Sequence, residues 1–196
     1  AELLVEGLRD ALRERGHAAD VVSLPFAWQP HDRIAPSALA WRLLDLTQVN
    51  GEQVDQLICT KFPSYAARHP RKVVWLVHQH RQAYDWYGTP WSDFANTQED
   101  RAAREQLLRL DRQTLGEAER RFTISRNVGE RLRRFNGLDS QPLYPPSRYA
   151  GQLRAGPYGD YILSDARLDA AKRLDLLLRA LARTKTPVRC VLMSAG

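Results

Sequence analysis

YILSDARLDAAKRLD, residues 161–175, joins a short apolar run to the start of a leucine-rich segment, and this strand–turn–helix pattern decides the fold class. The apolar residues 161–163 have the length of a buried strand. The leucines from Leu174 to Leu181 lie at positions that fit the buried face of a helix. Because strands followed by helices in this way build α/β proteins, the segment predicts an α/β fold.

Three cations crowd the turn of this segment. Asp169 is placed to cap the helix, so Lys172 and Arg173 fall in its first turn, and Arg167 directly follows the strand. Cations at a helix start cost a few tenths of a kcal/mol, because the helix dipole is positive there. A bound anion would remove this conflict, since free backbone N–H groups at a helix start bind phosphate. The segment alone is equally compatible with a phosphate site and with a solvated basic turn.

The composition indicates a folded protein with an anionic partner. The chain has 196 residues, 43% of them hydrophobic, which is enough for a core in one large domain or in parts of two. The net charge of +6 suits nucleic acid, a membrane surface or a phosphorylated small molecule. Cys59 and Cys190 lie in separate apolar runs, which favours buried thiols over a disulfide. Nothing in the sequence resembles a signal peptide or a spanning segment, so we expect a cytoplasmic protein, with peripheral contact at the inner face of the membrane compatible with its charge.

Helical stripes and short apolar runs alternate along the chain. We expect helices at residues 1–15, 37–46, 97–119 and 127–135, with Thr97 capping the third. We expect strands at residues 19–24, 55–60, 72–77, 122–124, 161–163 and 188–193. Continuous apolar runs, rather than alternating ones, are typical of strands covered on both faces, as in a parallel sheet.

Prolines and glycines between residues 142 and 159 indicate a linker. We therefore predict a Rossmann-like amino-terminal domain over residues 1–145 and a linker over residues 146–159. Residues 160–196 would be the first strand, helix and strand of a second Rossmann-like domain. Since the chain opens within a helix and stops soon after a strand, we expect it to be part of a longer protein, truncated at both ends.

Polar side chains follow four of the predicted strands. In open parallel sheets, ligands bind beyond the carboxyl ends of the strands. Lys61 follows one strand and Ser125 another, while His78 and His80 follow a third and Arg167 the fourth. Each has a simpler alternative: the two histidines could belong to an ordinary loop, and Ser125 fits a helix N-cap. These residues nevertheless form the predicted binding edge.

The loop after the histidines is rich in aromatic residues. Tyr84, Trp86, Tyr87 and Trp91 could stack against a sugar ring or simply cover the sheet. Asp85 lies among them, but no helical histidine spacing accompanies it, so we expect no metal site. Two other classes stay open on the residues alone. A nucleic-acid-binding module would suit the basic charge, and a Rossmann-type oxidoreductase would need a glycine fingerprint that the chain does not contain.

Several segments resemble retaining family-4 glycosyltransferases. RLDAAKRLDLLLRAL (167–181) is similar to the Arg-Leu-x-x-x-Lys helix start of that family. The segments similar to its amino-terminal half are AELLVEGLRDALRERGH (1–17), VVWLVHQHRQAYDWYGTPW (73–91), FTISRNVGERLRRFNGL (122–138) and LYPPSRY (143–149). The resemblance implies the GT-B fold, with two Rossmann-like domains facing each other across a cleft. It also implies metal-independent transfer of a hexose-type sugar, with retention, from a nucleotide-sugar donor to a sugar, lipid-linked or polysaccharide acceptor, with no further cofactor and no nucleic acid.

The resemblance assigns roles to single residues. Arg167 and Lys172 match the family's pair on the donor diphosphate. His78 matches the histidine beside the transferred sugar, and His80 is a second candidate for that catalytic role. The residues expected to contact substrate are Lys61, Tyr84, Asp85 and Ser125. The sequence departs from the family by having Ala166 where many members have glycine, and by lacking both the glycine loop and the Glu-x7-Glu segment, so residues 1–196 alone are expected to be inactive.

Overall fold

The computed structural model describes residues 2–147 and 149–193. The chain divides into two compact units, Ala1–Arg148 and Tyr149–Gly196. The division lies inside the stretch of prolines and glycines that indicated a linker. Between Pro142 and Tyr161 the described residues form no helix and no strand.

The described part of the first unit contains four helices and six strands. The described helices are α1 (Glu2–Arg13), α2 (Ile34–Leu43), α3 (Gln98–Gly116) and α4 (Arg126–Asn136). The described strands are β1 (Gln48–Val49), β2 (Glu52–Gln53), β3 (Leu57–Lys61), β4 (Lys72–His78), β5 (Arg120–Thr123) and β6 (Gln141–Pro142). Short 3₁₀ turns precede α2 at His31–Arg33 and follow β3 and β4 at Ser64–Ala66 and Arg81–Ala83.

A parallel sheet in the order β3-β4-β5-β6 forms the centre of this unit. Leu57 lies opposite Lys72 in the register of β3 and β4, and Val73 lies opposite Arg120 in that of β4 and β5. A register shift between Cys59 and Lys61 brings Lys61 opposite His78. The predicted α/β class with a parallel sheet is confirmed, and the unit is Rossmann-like in general kind.

The core forms around β4 because the strand is covered on both faces. Val74 and Leu76, on one face, have no exposed surface, and Val73 and Trp75, on the other face, are only 9% and 7% exposed. Leu107 of α3 and Leu132 of α4 belong to the same cluster as Val74 and Leu76. Burial on both faces explains why the apolar run of this strand is continuous, as the sequence predicted.

A buried lysine begins β4. Lys72 is only 1% exposed, and its ammonium group donates to the backbone carbonyls of Tyr65, Ala67 and Thr114. It also lies 3.1 Å from a carboxylate oxygen of Glu117. Burying a charge is costly unless it is paired and hydrogen-bonded, and this ammonium group meets both conditions.

The second unit contains one parallel strand pair. β7 (Tyr161–Ser164) pairs with β8 (Arg189–Leu192) over four residues, from Tyr161 opposite Arg189 to Ser164 opposite Leu192. Helix α5 (Leu174–Leu181) lies between the two strands in sequence. Cys190 in β8 and Cys59 in β3 are both free, and burial raises the pKa of the Cys59 thiol to about 12. Cys190 is half-buried rather than fully buried.

Three local predictions were wrong. In the second unit, residues 161–163 form the expected strand, but they are 42–53% exposed and not buried. Residues 19–24 form no strand, and Val21 and Val22 are 40% and 48% exposed, because no neighbouring strand pairs with them. The second helix begins at Ile34 rather than Ser37, since the 3₁₀ turn at His31–Arg33 leads directly into it. The Ser37 hydroxyl instead donates to the Arg33 carbonyl inside the helix.

The hairpin of β1 and β2 was not predicted at all. Asn50 and Gly51 connect the two strands with positive φ angles of 52° and 84°. An Asn-Gly pair is the preferred sequence for a tight hairpin turn of this kind. The signal was therefore present, but two-residue strands are too short to show an apolar pattern.

Candidate functional site

Polar side chains gather at the carboxyl edge of the first unit's sheet. Lys61 ends β3 directly opposite His78 of β4, and Ser125 follows β5. Lys61 is half-buried, and its ammonium group has no hydrogen-bond or ion-pair partner among the described residues. Three of the predicted residues in the first unit therefore lie at this edge, and its role in binding stays a prediction.

His78 is held as a neutral imidazole. Its Nδ1 lies 2.7 Å from the Gln79 carbonyl oxygen, which only accepts, so Nδ1 carries the proton and Nε2 is left as an acceptor. Burial lowers the pKa of His78, and the nearby charges of Arg81, Lys61 and Arg131 lower it further. At neutral pH this side chain can accept a hydrogen bond from a hydroxyl group and carries no charge.

His80 belongs to an aromatic cluster. Its ring centroid lies 6.2 Å from Phe26, 5.8 Å from Phe62 and 6.2 Å from Phe94. Burial lowers the pKa of His80 to about 4, and its Nε2 is buried without a hydrogen-bond partner. Three aromatic rings thus pack near His80, whereas His78 ends β4 opposite Lys61 at the edge of the sheet.

A third histidine, which the sequence did not single out, lies between two carboxylates. His31 stacks on Phe94 with ring centroids 3.8 Å apart. Its Nδ1 is 2.7 Å from an Asp100 oxygen, and its Nε2 is 3.4 Å from an Asp93 oxygen. The hydrogen bond with His31 is the main cause that lowers the pKa of Asp100. These partners are 62 to 69 residues apart in sequence, so no local pattern could have identified them.

The Tyr84 hydroxyl lies in a buried hydrogen-bond network. Its hydroxyl donates to Asp111 at 2.7 Å and accepts from Asn136 at 3.1 Å, and Asn136 accepts in turn from Gln79. The residue is 3% exposed, and burial raises its pKa well above the ordinary value. The hydroxyl is therefore used inside the protein, while the residue also lines a pocket together with Asp85, and the expected contact of Tyr84 with substrate stays a prediction.

Asp111 is the most unusual group of this buried network. It has no exposed surface, and burial raises the pKa of its carboxyl to about 7. The Tyr65 hydroxyl is close enough to lower that pKa, but neither it nor Asp111 Oδ1 has a partner in hydrogen-bonding geometry. The network couples α3 and α4 to the residue between the two predicted histidines.

Asp85 lies in an arginine-lined pocket of about 510 Å³. Its carboxylate pairs with Arg81 at 2.7 Å and with Arg131 at 2.8 Å. Burial tends to raise the pKa of Asp85, but the two guanidinium groups together hold it below the ordinary value. Asp85 is therefore an ionised partner of two arginines and itself lines the pocket.

Ser125 is a helix cap. Its hydroxyl oxygen accepts from the backbone N–H of Val128 at 3.3 Å, at the start of α4. The N-cap alternative for this residue is confirmed. The predicted cap of α3 is also confirmed, since the Thr97 hydroxyl accepts from the N–H of Asp100.

The cationic turn of the second unit differs in detail from the sequence prediction. Asp169 caps a 3₁₀ turn at Ala170–Lys172 by accepting from the N–H of Ala171. Arg173 then adopts a left-handed conformation, with φ of 54°, and α5 begins at Leu174. Lys172 and Arg173 therefore precede the helix instead of occupying its first turn.

The cations of this turn differ in their partners. Arg173 pairs with Asp175 at 3.0 Å. Arg167 and Lys172 are exposed, and neither has an ion-pair or hydrogen-bond partner for its side chain among residues 149–193 or elsewhere in the described chain. Two cations thus remain available at the carboxyl end of β7.

Metal-ligating side chains do not cluster within residues 2–147 and 149–193, where no group of three or more His, Cys, Asp or Glu could hold an ion. None of the described helices has the length and apolar character needed to span a bilayer. Comparison of the chain with protein-family models, with curated proteins and with solved structures gave no match. The resemblance to glycosyltransferases therefore depends on the quoted segments alone.

Proposed function

We propose that this chain belongs to a retaining glycosyltransferase that moves a sugar from a nucleotide-sugar donor to an acceptor without a divalent metal. The resemblance of the quoted segments suggests this activity, and two parallel-stranded α/β units in one chain are compatible with it. One observation carries the proposal furthest: Arg167 and Lys172, the residues matched to the donor diphosphate, have no partner among the described residues, while Arg173 beside them has a carboxylate partner.

Two free cations suit the leaving group of such a reaction. As the bond between sugar and diphosphate breaks, negative charge builds on the diphosphate oxygens. Preorganised cations stabilise that charge, and hydrogen bonds to phosphate become stronger as the charge develops. Arg167 would supply a bidentate donor fork and Lys172 a compact charge.

His78 is suited to contact the sugar on the acceptor side of the reaction. The resemblance places it beside the transferred sugar, and its neutral imidazole has an acceptor nitrogen at Nε2. A sugar hydroxyl could donate to that nitrogen. In a retaining front-face displacement the transition state resembles an oxocarbenium ion, so a neutral neighbour avoids the repulsion that a protonated imidazole would exert.

Calorimetric titration with uridine diphosphate and with guanosine diphosphate tests the cation pair. We expect Arg167→Ala and Lys172→Ala each to weaken binding about tenfold or more, since hydrogen bonds to charged groups contribute about 1.5–3 kcal/mol. Arg183→Ala is the matched control, because Arg183 is an equally exposed cation beyond the carboxyl end of α5. Equal weakening by all three substitutions would indicate unspecific attraction and would contradict the proposal.

A further inference from the structure

Four arginines from three separate elements line one pocket of the first unit. Arg81 comes from the 3₁₀ turn after β4, Arg104 from α3, and Arg131 and Arg134 from α4. Asp85 is the single carboxylate among the residues that line this pocket. Four guanidinium groups therefore face one carboxylate, and the pocket carries a clear excess of positive charge.

The carboxylate fixes two of the four arginines. Asp85 accepts from Nε and Nη2 of Arg81 at 3.1 and 2.7 Å, and from Nη1 of Arg131 at 2.8 Å. The Arg131 side chain is only 16% exposed, and its buried Nε has no hydrogen-bond partner in the described part of the chain. Guanidinium groups fixed in this way are preorganised donors rather than mobile surface charges.

The other two arginines keep most of their donors free. Arg104 lies 3.8 Å above the Tyr87 ring and donates from Nε to the Ala83 carbonyl, which leaves its two terminal nitrogens unused. Arg134 lies over the Phe135 ring and has no carboxylate or carbonyl partner among the described residues. The pocket thus offers unpaired N–H groups from at least two sides.

An ordinary solvated basic surface would not be built in this way. Arg133, the neighbour of Arg134 in sequence, shows that alternative: it pairs with Asp139, and both side chains are 76% exposed. In the pocket, by contrast, Arg81, Arg104 and Arg131 are half-buried beside the exposed Arg134, so three of the four like charges lose part of their hydration. Such an arrangement costs free energy unless an anion is bound.

We propose that this pocket binds a phosphate monoester dianion. Phosphate is the anion whose geometry and charge match several guanidinium forks at once. The pocket volume of about 510 Å³ exceeds that of a phosphate group, so it also has room for the organic part of the ligand beside Tyr87 and Asn127. The site lies within the first unit and shares no residue with the cation pair at Arg167 and Lys172. This proposal therefore does not depend on the proposed glycosyl transfer.

Titration of the whole chain with inorganic phosphate, in chloride buffer of constant ionic strength, tests this site by calorimetry. Arg134→Gln should weaken phosphate binding about tenfold or more, because it removes charge-assisted hydrogen bonds. Arg133→Gln removes the same charge from the next residue of the same helix and should leave binding unchanged. The double substitution Arg167→Ala with Lys172→Ala should also leave this binding unchanged, which separates the pocket from the proposed donor site.

Folding of each variant is checked by thermal unfolding, and Arg134→Gln is suited to the test because Arg134 is exposed. Saturating phosphate should raise the melting temperature of the unaltered chain and of Arg133→Gln, and should have a much smaller effect on Arg134→Gln. Equal effects of the two substitutions, or no heat of binding at millimolar phosphate, would overturn the proposal.

Two further arms identify the source of the phosphate monoester. Glycerol 3-phosphate represents a soluble ligand, and phosphatidylcholine vesicles that contain phosphatidic acid represent a lipid headgroup. Stronger binding in either arm that is lost in Arg134→Gln supports the site and assigns its source. Preference for a single-stranded oligonucleotide, reduced equally by Arg133→Gln and Arg134→Gln, would overturn it in favour of an unspecific basic surface.

Discussion

Replacing Asp111 by asparagine should remove a large part of the pH dependence of the first unit's stability. Asp111 is fully buried, and burial raises the pKa of its carboxyl from an ordinary 3.8 to about 7. Because the folded state holds the proton more tightly than the unfolded state, this group makes its full contribution to stability below about pH 3.8. That contribution is lost as the pH rises towards 7.

The magnitude follows from the width of this pH window. Each pH unit between the two pKa values costs about 1.4 kcal/mol of unfolding free energy, so the total from pH 3.8 to above 7 is about 4 kcal/mol. Asparagine has nearly the same shape, and its amide oxygen can still accept from the Tyr84 hydroxyl. The stability of Asp111→Asn relative to the unaltered chain should therefore rise by about 3 kcal/mol between pH 5 and pH 8.

Urea unfolding followed by tryptophan fluorescence measures this difference. All five tryptophans of the chain lie within the first 91 residues, so the signal reports the first unit alone. Comparing the variant with the unaltered chain at each pH cancels the titration of all other groups. A free-energy difference that stays constant from pH 5 to pH 8 would refute the assignment of Asp111 as a protonated buried group.

The same fluorescence assay tests three further substitutions. Lys72→Met should lower the unfolding free energy by about 3–5 kcal/mol, because three buried carbonyls and the Glu117 carboxylate lose a donor; a loss under about 1 kcal/mol would show that the site relaxes. Asp100→Asn should lower the unfolding free energy by on the order of 1 kcal/mol at pH 7. The pKa of Asp100 is lower in the folded state, so its carboxylate stabilises the fold at pH values above the ordinary pKa of aspartate. That loss of stability should disappear as the pH falls through the pKa of Asp100 in the folded state, whereas the contribution of Asp111 disappears as the pH rises. A loss that grows in acid would contradict the pairing of Asp100 with His31. Leu132→Ala should cost about 2–5 kcal/mol because its side chain has no exposed surface, and a neutral effect would argue against the core as described.

The elements that the sequence predicted well are those with a strong local cause. The continuous apolar run of β4 indicated burial on both faces, and Thr97 and Ser125 stood where helix caps are expected. The carboxyl edge of the sheet followed from the positions of the strands along the chain, which is why the sequence could predict that Lys61 and His78 share this edge.

The remaining features depend on contacts between distant residues. Residues 19–24 have a strand-like composition but no neighbouring strand to pair with. The pairing of His31 with Asp100 joins residues that are 69 positions apart in sequence, and the arginine pocket joins three elements. The late start of α5 follows from the left-handed conformation of Arg173, which composition does not predict for a non-glycine residue.

The central claim, retaining transfer of a sugar with Arg167 and Lys172 on the leaving diphosphate, is tested most directly by proton NMR of the reaction. The measurement uses the longest reading frame that contains residues 1–196, a nucleotide sugar and EDTA. We predict a first-formed product with the anomeric configuration of the donor, undiminished turnover in EDTA, and at least a tenfold lower rate for Lys172→Ala. A product of inverted configuration, or a Lys172→Ala rate equal to that of the unaltered protein, would contradict the account.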